Sequence, residues 1–321
     1  MQRIETEVCI VGGGPAGMML GYLLARAGAD VTVLEKHADF LRDFRGDTIH
    51  PSTLGLLGEL GLREEFLALP HSEVRSLDAV VSGIRLHAVD FARLGPPDDV
   101  LVFMPQWDFL DFVARKAAAF PNFHLRVATP ATGLLRDSGS GSSGGSGEAD
   151  AAPVTGVAAT GPDGDLEIVA GLTVAADGRS STVRAAAGLE PRAFGVAVDV
   201  LWFALPRPQR EPRSTLAYLD RQSFVVTIDR RDHFQAGVVI PKGRFAAVRE
   251  RGLEAFRRDF AATAKPFAGV IGAITDWQQV KLLDVQIARL DTWHRPGLLC
   301  IGDAAHAMSP IGGVGINLAV Q

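Results

Sequence analysis

The chain has 321 residues, which corresponds to about two domains of ordinary size. Hydrophobic residues make up 47% of it, and 32 basic against 37 acidic residues leave a net charge of -5. Without a basic surplus or a Lys/Arg cluster, we expect no nucleic-acid partner. Because no apolar run is long enough for a membrane span, we expect no membrane partner either.

The number of cysteines and the spacing of potential metal ligands also exclude classes of protein. Two cysteines, Cys9 and Cys300, are too few for a disulfide scaffold or a cysteine-built zinc site. Both lie in apolar patterns typical of core strands, so we expect inert buried thiols in a reducing, cytoplasmic compartment. No His/Cys/Asp/Glu spacing indicates a metal, and nothing resembles an activated Ser or Cys nucleophile.

Strand and helix signals alternate along the first half of the chain. Glu7 to Val11 and Asp30 to Glu35 are short apolar runs, and apolar residues between them recur at helical spacing. This order predicts one βαβ unit. Further helices are predicted over Pro51 to Gly61 and over Gln106 to Phe120.

The central segment is rich in strand signals. Strands near His124 to Ala128 and Val154 to Thr160 are expected in one sheet, and Leu166 to Ala176 is also strand-like. Between the first two lies Ser138 to Gly147 (SGSGSSGGSG), which has no apolar residue and is predicted to be a flexible loop. Its composition fits a natural insertion and an engineered linker equally well.

The last third begins with several β-rich runs between Ala197 and Ile240. One helix is predicted over Phe245 to Ala264, and Leu298 to Ile301 has the pattern of a buried strand. The order of elements therefore predicts a βαβ nucleotide-binding domain that is interrupted by a mostly antiparallel β domain and resumed near Gln321.

A glycine motif, Gly12-x-Gly14-x-x-Gly17, follows the first strand and opens a helix. Gly12 permits a tight turn, Gly14 lets the backbone approach a pyrophosphate, and Gly17 allows close packing of helix and sheet. Glu35 ends the second strand, where a carboxylate can accept hydrogen bonds from ribose hydroxyls. Together these features favour dinucleotide binding over a purely structural turn.

Two later motifs indicate which dinucleotide is bound. Asp177-Gly178-x-x-Ser181-x-x-Arg184 follows a strand and begins a helix. Gly302-Asp303-Ala304-Ala305-His306 follows another strand, and Pro310 and a glycine turn, Gly312-Gly313-Val314-Gly315-Ile316-Asn317, come next. In these motifs and their order, the chain from Val8 to Gln321 resembles the p-hydroxybenzoate hydroxylase-like FAD monooxygenases, the single-component flavoprotein aromatic hydroxylases.

The resemblance implies an α/β protein with a Rossmann-like FAD-binding domain of the GR2-type flavoprotein fold. A mostly antiparallel β-sheet substrate domain is inserted into it. The expected boundaries are 1-73, 100-192 and 284-321 for the FAD-binding domain, 74-99 and 193-283 for the substrate domain, and 138-152 for the flexible loop.

The resemblance also implies which residues hold FAD. The glycine motif and Glu35 would bind the ADP half, an arginine after the second strand (Arg45, with Arg42 as competitor) would contact the cofactor, and Gln106 would bond its middle. The full set of cofactor-binding candidates is Gly12, Gly14, Pro15, Ala16, Gly17, Glu35, Lys36, Arg45, Gln106, Asp177, Gly178, Asp303, Pro310, Gly313, Gly315 and Asn317.

The residues expected near the flavin ring come from the last motif. Asp303 would bind the ribityl chain, and Pro310 and the glycine turn would lie against the isoalloxazine ring. A glycine-rich turn that enters a helix points N–H donors at its ligand, which stabilises an anionic reduced flavin. The catalytic candidates are Pro310 and His50, and for His50 the alternative is a role at the start of the helix at Pro51.

The implied reaction is hydroxylation of an aromatic or polycyclic small molecule with O2 and NADPH or NADH, through a flavin hydroperoxide. Two alternatives stay open: a reductase or dehydrogenase of the same fold without oxygen insertion, and a non-catalytic flavin-binding remnant. A halogenase is disfavoured because the four tryptophans include no pair two residues apart. The resemblance leaves a homodimer open, and it predicts further chain after Gln321.

We predict that Asp303→Ala abolishes FAD binding, whereas Glu35→Ala weakens it less, because a ribose contact is one of many along the ADP half. The flavin absorbance of each purified variant measures this. Full flavin occupancy in Asp303→Ala, or a loss in Glu35→Ala that equals it, would contradict the assigned roles.

Overall fold

The computed structural model of the chain describes residues 2–41, 48–137, 152–209, 215–221, 223–230 and 232–321. The predicted Gly/Ser-rich loop at 138–147 and the two candidate arginines, Arg42 and Arg45, lie outside the described residues. None of the described helices combines the length and the apolar character that a membrane crossing requires.

The described helices and strands follow in chain order. The helices are α1 (Pro15–Arg26), α2 (Pro51–Glu59), α3 (Arg63–Leu67), α4 (Gln106–Ala117), α5 (Thr182–Ala186), α6 (Phe245–Glu250), α7 (Leu253–Thr263) and α8 (Gly315–Val320). The first strands are β1 (Gln2–Val11), β2 (Val31–Leu34), β3 (Thr48–Ile49), β4 (Ser72–Val74), β5 (Ser76–Val81), β6 (Ile84–Asp90), β7 (Leu101–Phe103), β8 (Phe123–Arg126), β9 (Ala131–Arg136), β10 (Val154–Gly161) and β11 (Gly164–Ala175). The later strands are β12 (Arg192–Phe194), β13 (Val198–Pro206), β14 (Thr215–Leu219), β15 (Phe224–Asp229), β16 (His233–Pro241), β17 (Lys281–Leu283), β18 (Ile287–Arg289), β19 (His294–Arg295), β20 (Leu298–Cys300) and β21 (His306–Ala307).

The chain folds as two compact units. The first contains Met1–Gly46, Pro105–Phe194 and Gln286–Gln321, and the second contains Asp47–Met104 and Gly195–Val285. The sequence-based boundaries differ from these mainly at 47–73, which lie here in the second unit. The assignment of one part to FAD and the other to substrate stays a prediction.

The first unit is built on a sheet in the order β19-β20-β11-β1-β2-β8, in which β20, β11, β1, β2 and β8 run parallel. β10 pairs with β11 and β9 with β10, both antiparallel. The buried runs of β1 and β2 flank α1, which confirms the predicted βαβ unit, and β8, β10 and β11 share one sheet as expected. The parallel arrangement brings the carboxyl ends of five strands to one edge.

The second unit is built on a sheet in the order β17-β13-β16-β15-β14-β5-β6, antiparallel except between β14 and β5. One face of it packs against α7 through buried aromatic side chains, among them Phe203, Phe256, Phe260 and Phe267. With the parallel sheet of the first unit, this confirms the predicted α/β architecture with a mostly antiparallel second sheet.

One prediction from the sequence is wrong in this part of the chain. The single helix expected over Phe245 to Ala264 is interrupted between α6 and α7 by Gly252, whose φ of 86° no α-helix accommodates. In the same unit, Arg230 is half-buried. It donates from Nε to the buried Gln235 side chain over 3.0 Å, and burial lowers its pKa to about 10.

A buried carboxylate, that of Asp199, connects residues near the two ends of Gly195–Val285, the longer stretch of this unit. Asp199 in β13 accepts hydrogen bonds from Lys242 Nζ (2.7 Å), Gly243 N (2.8 Å) and Val285 N (3.1 Å). Burial alone would raise the pKa of Asp199, but these hydrogen bonds and the Lys242 charge outweigh it and hold the pKa below its ordinary value.

Asp199→Ala leaves the buried N–H of Val285, the N–H of Gly243 and the Lys242 ammonium without their acceptor. We therefore expect it to lower the free energy of unfolding by about 3 kcal/mol at pH 7. A carboxylate with a lowered folded-state pKa stabilises the fold above its ordinary pKa. This contribution is lost as the pH falls through the folded-state value. The difference between variant and wild type should therefore shrink below about pH 4.

Urea unfolding at pH 7 and at pH 3 measures this difference, with Glu250→Ala, an exposed carboxylate of α6, as the control. A loss for Asp199→Ala that equals the control, or that stays constant with pH, would contradict this assignment.

Candidate functional site

The glycine turn after β1 is shaped by close backbone contacts. Gly12 has a φ of 114°, and a Cβ there would lie 2.3 Å from the carbonyl oxygen of Ala176. A Cβ on Gly17 would lie 2.0 Å from the carbonyl oxygen of Gly12. Side chains are therefore excluded at both positions by the protein's own backbone, as the motif predicts.

Gly14 differs from the other two glycines of the motif. It has an extended φ of -76° that any residue adopts, and a Cβ there would meet no atom within 4 Å. It is the N-cap of α1, no side chain caps this end, and Pro15 follows in the first turn. The open space at Gly14 thus lies before free N–H groups and the positive end of the helix dipole, where an anion binds favourably.

Glu35 lies beside this turn, directly after β2. It is 7% exposed; its Oε2 accepts a hydrogen bond from Gly13 N (3.0 Å) and its Oε1 accepts one from His37 N (3.0 Å). Lys36 beside it is exposed. The carboxylate therefore fixes the shape of the glycine turn, and its remaining lone pairs can accept from a ligand.

The Asp177 motif forms the start of α5. The Asp177 carboxylate accepts from the Ser181 hydroxyl and from Thr182 N (2.8 Å), and Gly178 has a φ of 87°. Ser181 in turn accepts from Arg184 N (2.9 Å). Asp177 thus caps a helix in this structure, and its predicted contact with FAD and NAD(P)H stays a prediction.

Arg184 is a residue of this motif to which the sequence analysis gave no role. It is 9% exposed and donates to the carbonyl oxygens of Ala304 (2.9 Å) and Arg179 (2.8 Å). It therefore ties the Asp177 motif to the turn that carries Asp303. Its fixed place in the motif was the available signal, because a buried guanidinium needs several acceptors.

Asp303 lies in a 3-10 turn, Gly302–Ala304, directly after β20. Gly302 has a φ of 56°, and a Cβ there would lie 2.9 Å from the Ala16 side chain, so this turn rests on the first turn of α1. The Asp303 side chain is exposed, with its Oδ2 3.7 Å from Arg179 Nε. It borders an open pocket of about 220 Å³ lined by Arg179, Arg184, Pro191, Ala193, Gln286, Ala288, Asp303, Ala305 and Ala307.

The final glycine turn is held together by Asn317. Its side chain is 3% exposed and donates to the carbonyl oxygen of Gly313 (3.0 Å), which has a φ of 64°. Pro310 is half-buried before this turn, and Gly315 begins α8. Because α8 packs against both α1 and the Gly302–Ala304 turn, the glycine motifs come together at one edge of the sheet.

The remaining candidates lie at the starts of other helices. Gln106 is half-buried at the first position of α4, which packs against α1. His50 belongs to the second unit, where it is the N-cap of α2 and its carbonyl oxygen accepts from Thr53 N and Leu54 N. This is the helix-start role that the sequence analysis gave as the alternative; a catalytic role for His50 stays a prediction.

Neither buried cysteine carries a reactive thiol. Burial raises the pKa of the Cys9 thiol to about 12, and burial together with the nearby Asp177 charge raises that of Cys300 to about 11. Both thiols are therefore protonated and unreactive at neutral pH. Among the described residues, no group of three or more His, Cys, Asp or Glu side chains could hold a metal ion.

The arrangement fits the ADP half of FAD. Tight backbone packing at Gly12 and Gly17, open space at Gly14 and a buried carboxylate one strand away are the features that bind a pyrophosphate and a ribose. Ligands of open α/β sheets bind at the carboxyl edge of the strands, which is where these residues lie. The fold and the site thus define a dinucleotide-binding protein.

Comparisons with known proteins identify the family. Residues 5–321 match a family model described as FAD binding domain. A 6-methylpretetramide 4-monooxygenase from Streptomyces rimosus is 33% identical over 99% of this chain and 73% of that protein. The chain therefore belongs to this FAD-binding family, among the aromatic monooxygenases that the sequence resembles.

Two further proteins support this family assignment and the fold. A 12-dehydrotetracycline 5-monooxygenase/anhydrotetracycline 6-monooxygenase from Streptomyces rimosus is 28% identical over 98% of this chain, which spans 60% of that protein's length. The crystal structure of a probable FAD-dependent monooxygenase from Pseudomonas aeruginosa has a TM-score of 0.77. At 22% identity, and with 98% of this chain and 83% of that chain covered, it shows the shared fold.

The glycines of the first motif provide a matched pair of variants. Gly14→Ala should leave the stability of the apoprotein unchanged, because its Cβ meets open space, but it should weaken FAD binding at least tenfold by blocking close approach of the pyrophosphate. Gly17→Ala should instead cost the apoprotein about 2 kcal/mol or more, because its Cβ overlaps the Gly12 carbonyl.

Thermal unfolding of the apoproteins and FAD titration by flavin fluorescence measure both effects. Wild-type FAD affinity in Gly14→Ala would show that the open space at Gly14 is not the pyrophosphate site.

Proposed function

We propose that this protein is an FAD-dependent monooxygenase that uses NADPH or NADH and O2 to hydroxylate an aromatic or polycyclic small molecule. The observation that carries the proposal is the meeting of the glycine motif, the Asp303 turn and the Pro310–Asn317 turn at the carboxyl edge of one parallel sheet. Membership of the FAD-binding family supports it.

In this proposal, residues of the first unit contact the cofactor along its whole length. The N-terminus of α1 binds the pyrophosphate, Glu35 accepts from a ribose hydroxyl, and Asp303 accepts from the ribityl chain. FAD, when bound, supplies the redox chemistry that links nicotinamide oxidation to oxygen transfer. The backbone of the turn from Pro310 to Asn317 positions the ring and limits access of water.

The nature of the substrate is proposed from two observations. The relatives with 33% and 28% identity are named as acting on a pretetramide and on tetracycline precursors, which are polycyclic. In the second unit, the sheet face opposite the buried Phe203 side chain carries half-exposed apolar residues, among them Trp202, Phe224 and Val226. A Cβ on Gly237 would lie 2.9 Å from the Trp202 ring, so this indole lies flat against the strand. Such a surface favours a flat apolar ligand.

Two finer features are proposed as well. A reducing, cytoplasmic location fits two free, buried thiols at Cys9 and Cys300. The second feature is the homodimer that the family resemblance leaves open, and the oligomeric state of the purified protein in solution tests it.

We expect the purified protein to carry or to take up FAD, and to consume O2 with NADPH or NADH only when a suitable phenol is present. The measurement uses an oxygen electrode and mass spectrometry of the product, with panels of one-ring and fused-ring phenols and with 18O2. The expected product gains one oxygen atom from 18O2, and fused-ring phenols should be converted faster than one-ring phenols.

The same assay separates the alternatives. Substrate-dependent turnover that continues under argon, with no labelled product, would identify a reductase or dehydrogenase. A chain that shows no flavin absorbance and cannot be reconstituted with FAD would be a non-catalytic protein. The Asp303→Ala variant serves as the control for oxygen uptake that is independent of bound flavin.

A further inference from the structure

Two rows of side chains cross the whole sheet of the second unit on the face opposite Phe203. Paired residues of neighbouring strands point to the same face, as does every second residue of a strand, so the strand registers fix the members of each row. The first row is Lys281, Trp202, Gly237, Val226, Ala217, Ala79 and Leu86. The second row is Leu283, Val200, Val239, Phe224, Leu219, Val81 and Ile84. Every member of these two rows is apolar or glycine except Lys281, which carries their single charge.

Trp202 is held flat on this face by a glycine. Gly237 lies inside β16, where a residue without a side chain weakens a strand, and its φ lies outside the left-handed region that would require glycine. A Cβ there would meet three atoms of the Trp202 ring at 2.9 to 3.1 Å, so the glycine makes room for the indole. Because Trp202 is only half-buried, part of its ring surface can stack against a flat ligand.

Lys281 lies directly beside this indole. It is exposed and pairs with Trp202 across β17 and β13, which places the two Cβ atoms about 4.5–5.5 Å apart. Among the described residues, Lys281 takes part in no ion pair, whereas Lys242 bonds both Asp199 and Asp284. The chain thus neutralises the lysine that joins its own segments and leaves the charge beside Trp202 uncompensated.

The position of β17 at the edge of the sheet offers a second explanation for this lysine. A lysine on an edge strand hinders pairing with another chain. The other edge strand, β6, contributes Ile84 and Leu86 to the same rows, and these side chains are 67% and 48% exposed. The two rows therefore do not carry a charge at each edge, and edge protection does not explain why the charge lies beside Trp202.

We infer that Lys281 is a specificity-determining residue and that the substrate is a flat, fused-ring compound with an anionic oxygen, either a carboxylate or an ionised phenol. The inference rests on the proposed function, since it takes the second unit as the substrate-binding part. The rings stack on Trp202, and the Lys281 ammonium pairs with the anionic oxygen. On an apolar face this attraction is screened less than between two charges surrounded by water.

The test measures binding of a hydroxynaphthoate and of the corresponding neutral hydroxynaphthamide to the full-length protein, by isothermal titration calorimetry in the presence of FAD. The wild type should bind the hydroxynaphthoate about fivefold more tightly, as expected for one partly exposed ion pair. Lys281→Gln should bind the two probes equally, with its affinity for the amide unchanged, and Lys281→Arg should keep the preference.

Two further variants separate charge recognition from other effects. Lys265→Gln is the matched control, because it removes the same charge from an exposed lysine directly after α7, which packs on the other face of the sheet. It should keep the wild-type preference. Trp202→Leu should weaken binding of both naphthalene probes by the same factor, because it removes the stacking surface and leaves the charge.

A second pair of probes distinguishes the two sources of the anionic oxygen. A nitronaphthol whose hydroxyl is ionised at neutral pH is compared with the parent naphthol, which is neutral. A Lys281-dependent preference for the nitronaphthol as well as the hydroxynaphthoate supports recognition of any anionic oxygen. A preference confined to the hydroxynaphthoate supports a carboxylate.

Several outcomes would overturn the inference. They are equal binding of charged and neutral probes by the wild type, an unchanged preference in Lys281→Gln, and aggregation of Lys281→Gln with the preference kept, which would identify edge protection. A wild type that takes up FAD but shows no charge preference refutes the inference alone. A wild type that takes up no FAD but prefers the charged probe through Lys281 refutes the proposed function alone.

Discussion

The close approach of backbone to backbone at the carboxyl edge of the parallel sheet is the constraint on which the candidate site depends. The turn after β1 passes so near Ala176 and folds back so tightly on itself that Gly12 and Gly17 leave no room for a Cβ. The Gly302 turn is pressed in the same way against Ala16. These contacts join segments from the beginning, middle and end of the chain, and they place polar groups at one edge without long side chains to carry them.

Charged side chains then stabilise the close backbone contacts that the glycines allow. Glu35 holds the glycine turn by accepting from Gly13 N, and Arg184 joins the α5 motif to the Asp303 turn through two carbonyl oxygens. Each group is buried and hydrogen-bonded, so the loops are positioned by directional bonds. A preorganised edge of this kind lowers the ordering cost of binding a long, flexible dinucleotide.

In the proposed enzyme, one compact unit binds the cofactor and the other binds the substrate. The first supplies a polar, backbone-rich edge suited to phosphate and ribose, and the second supplies a sheet with one face packed on Phe203 and its neighbours and the other face half-exposed and apolar. The proposed substrate class follows from the second unit and the relatives, whereas the cofactor follows from the first. Variation in the second sheet can thus change the substrate without altering how the cofactor is held.

The sequence by itself determined the βαβ unit, the order of the motifs and the family, because the glycine spacing, a strand before each motif and a carboxylate at a strand end are local patterns. It did not determine that α6 and α7 are separate helices, that Arg230 bonds the buried Gln235 side chain, or that Arg184 bridges two motifs. Burial and hydrogen bonding depend on residues far apart in the chain, so only the tertiary structure decides them.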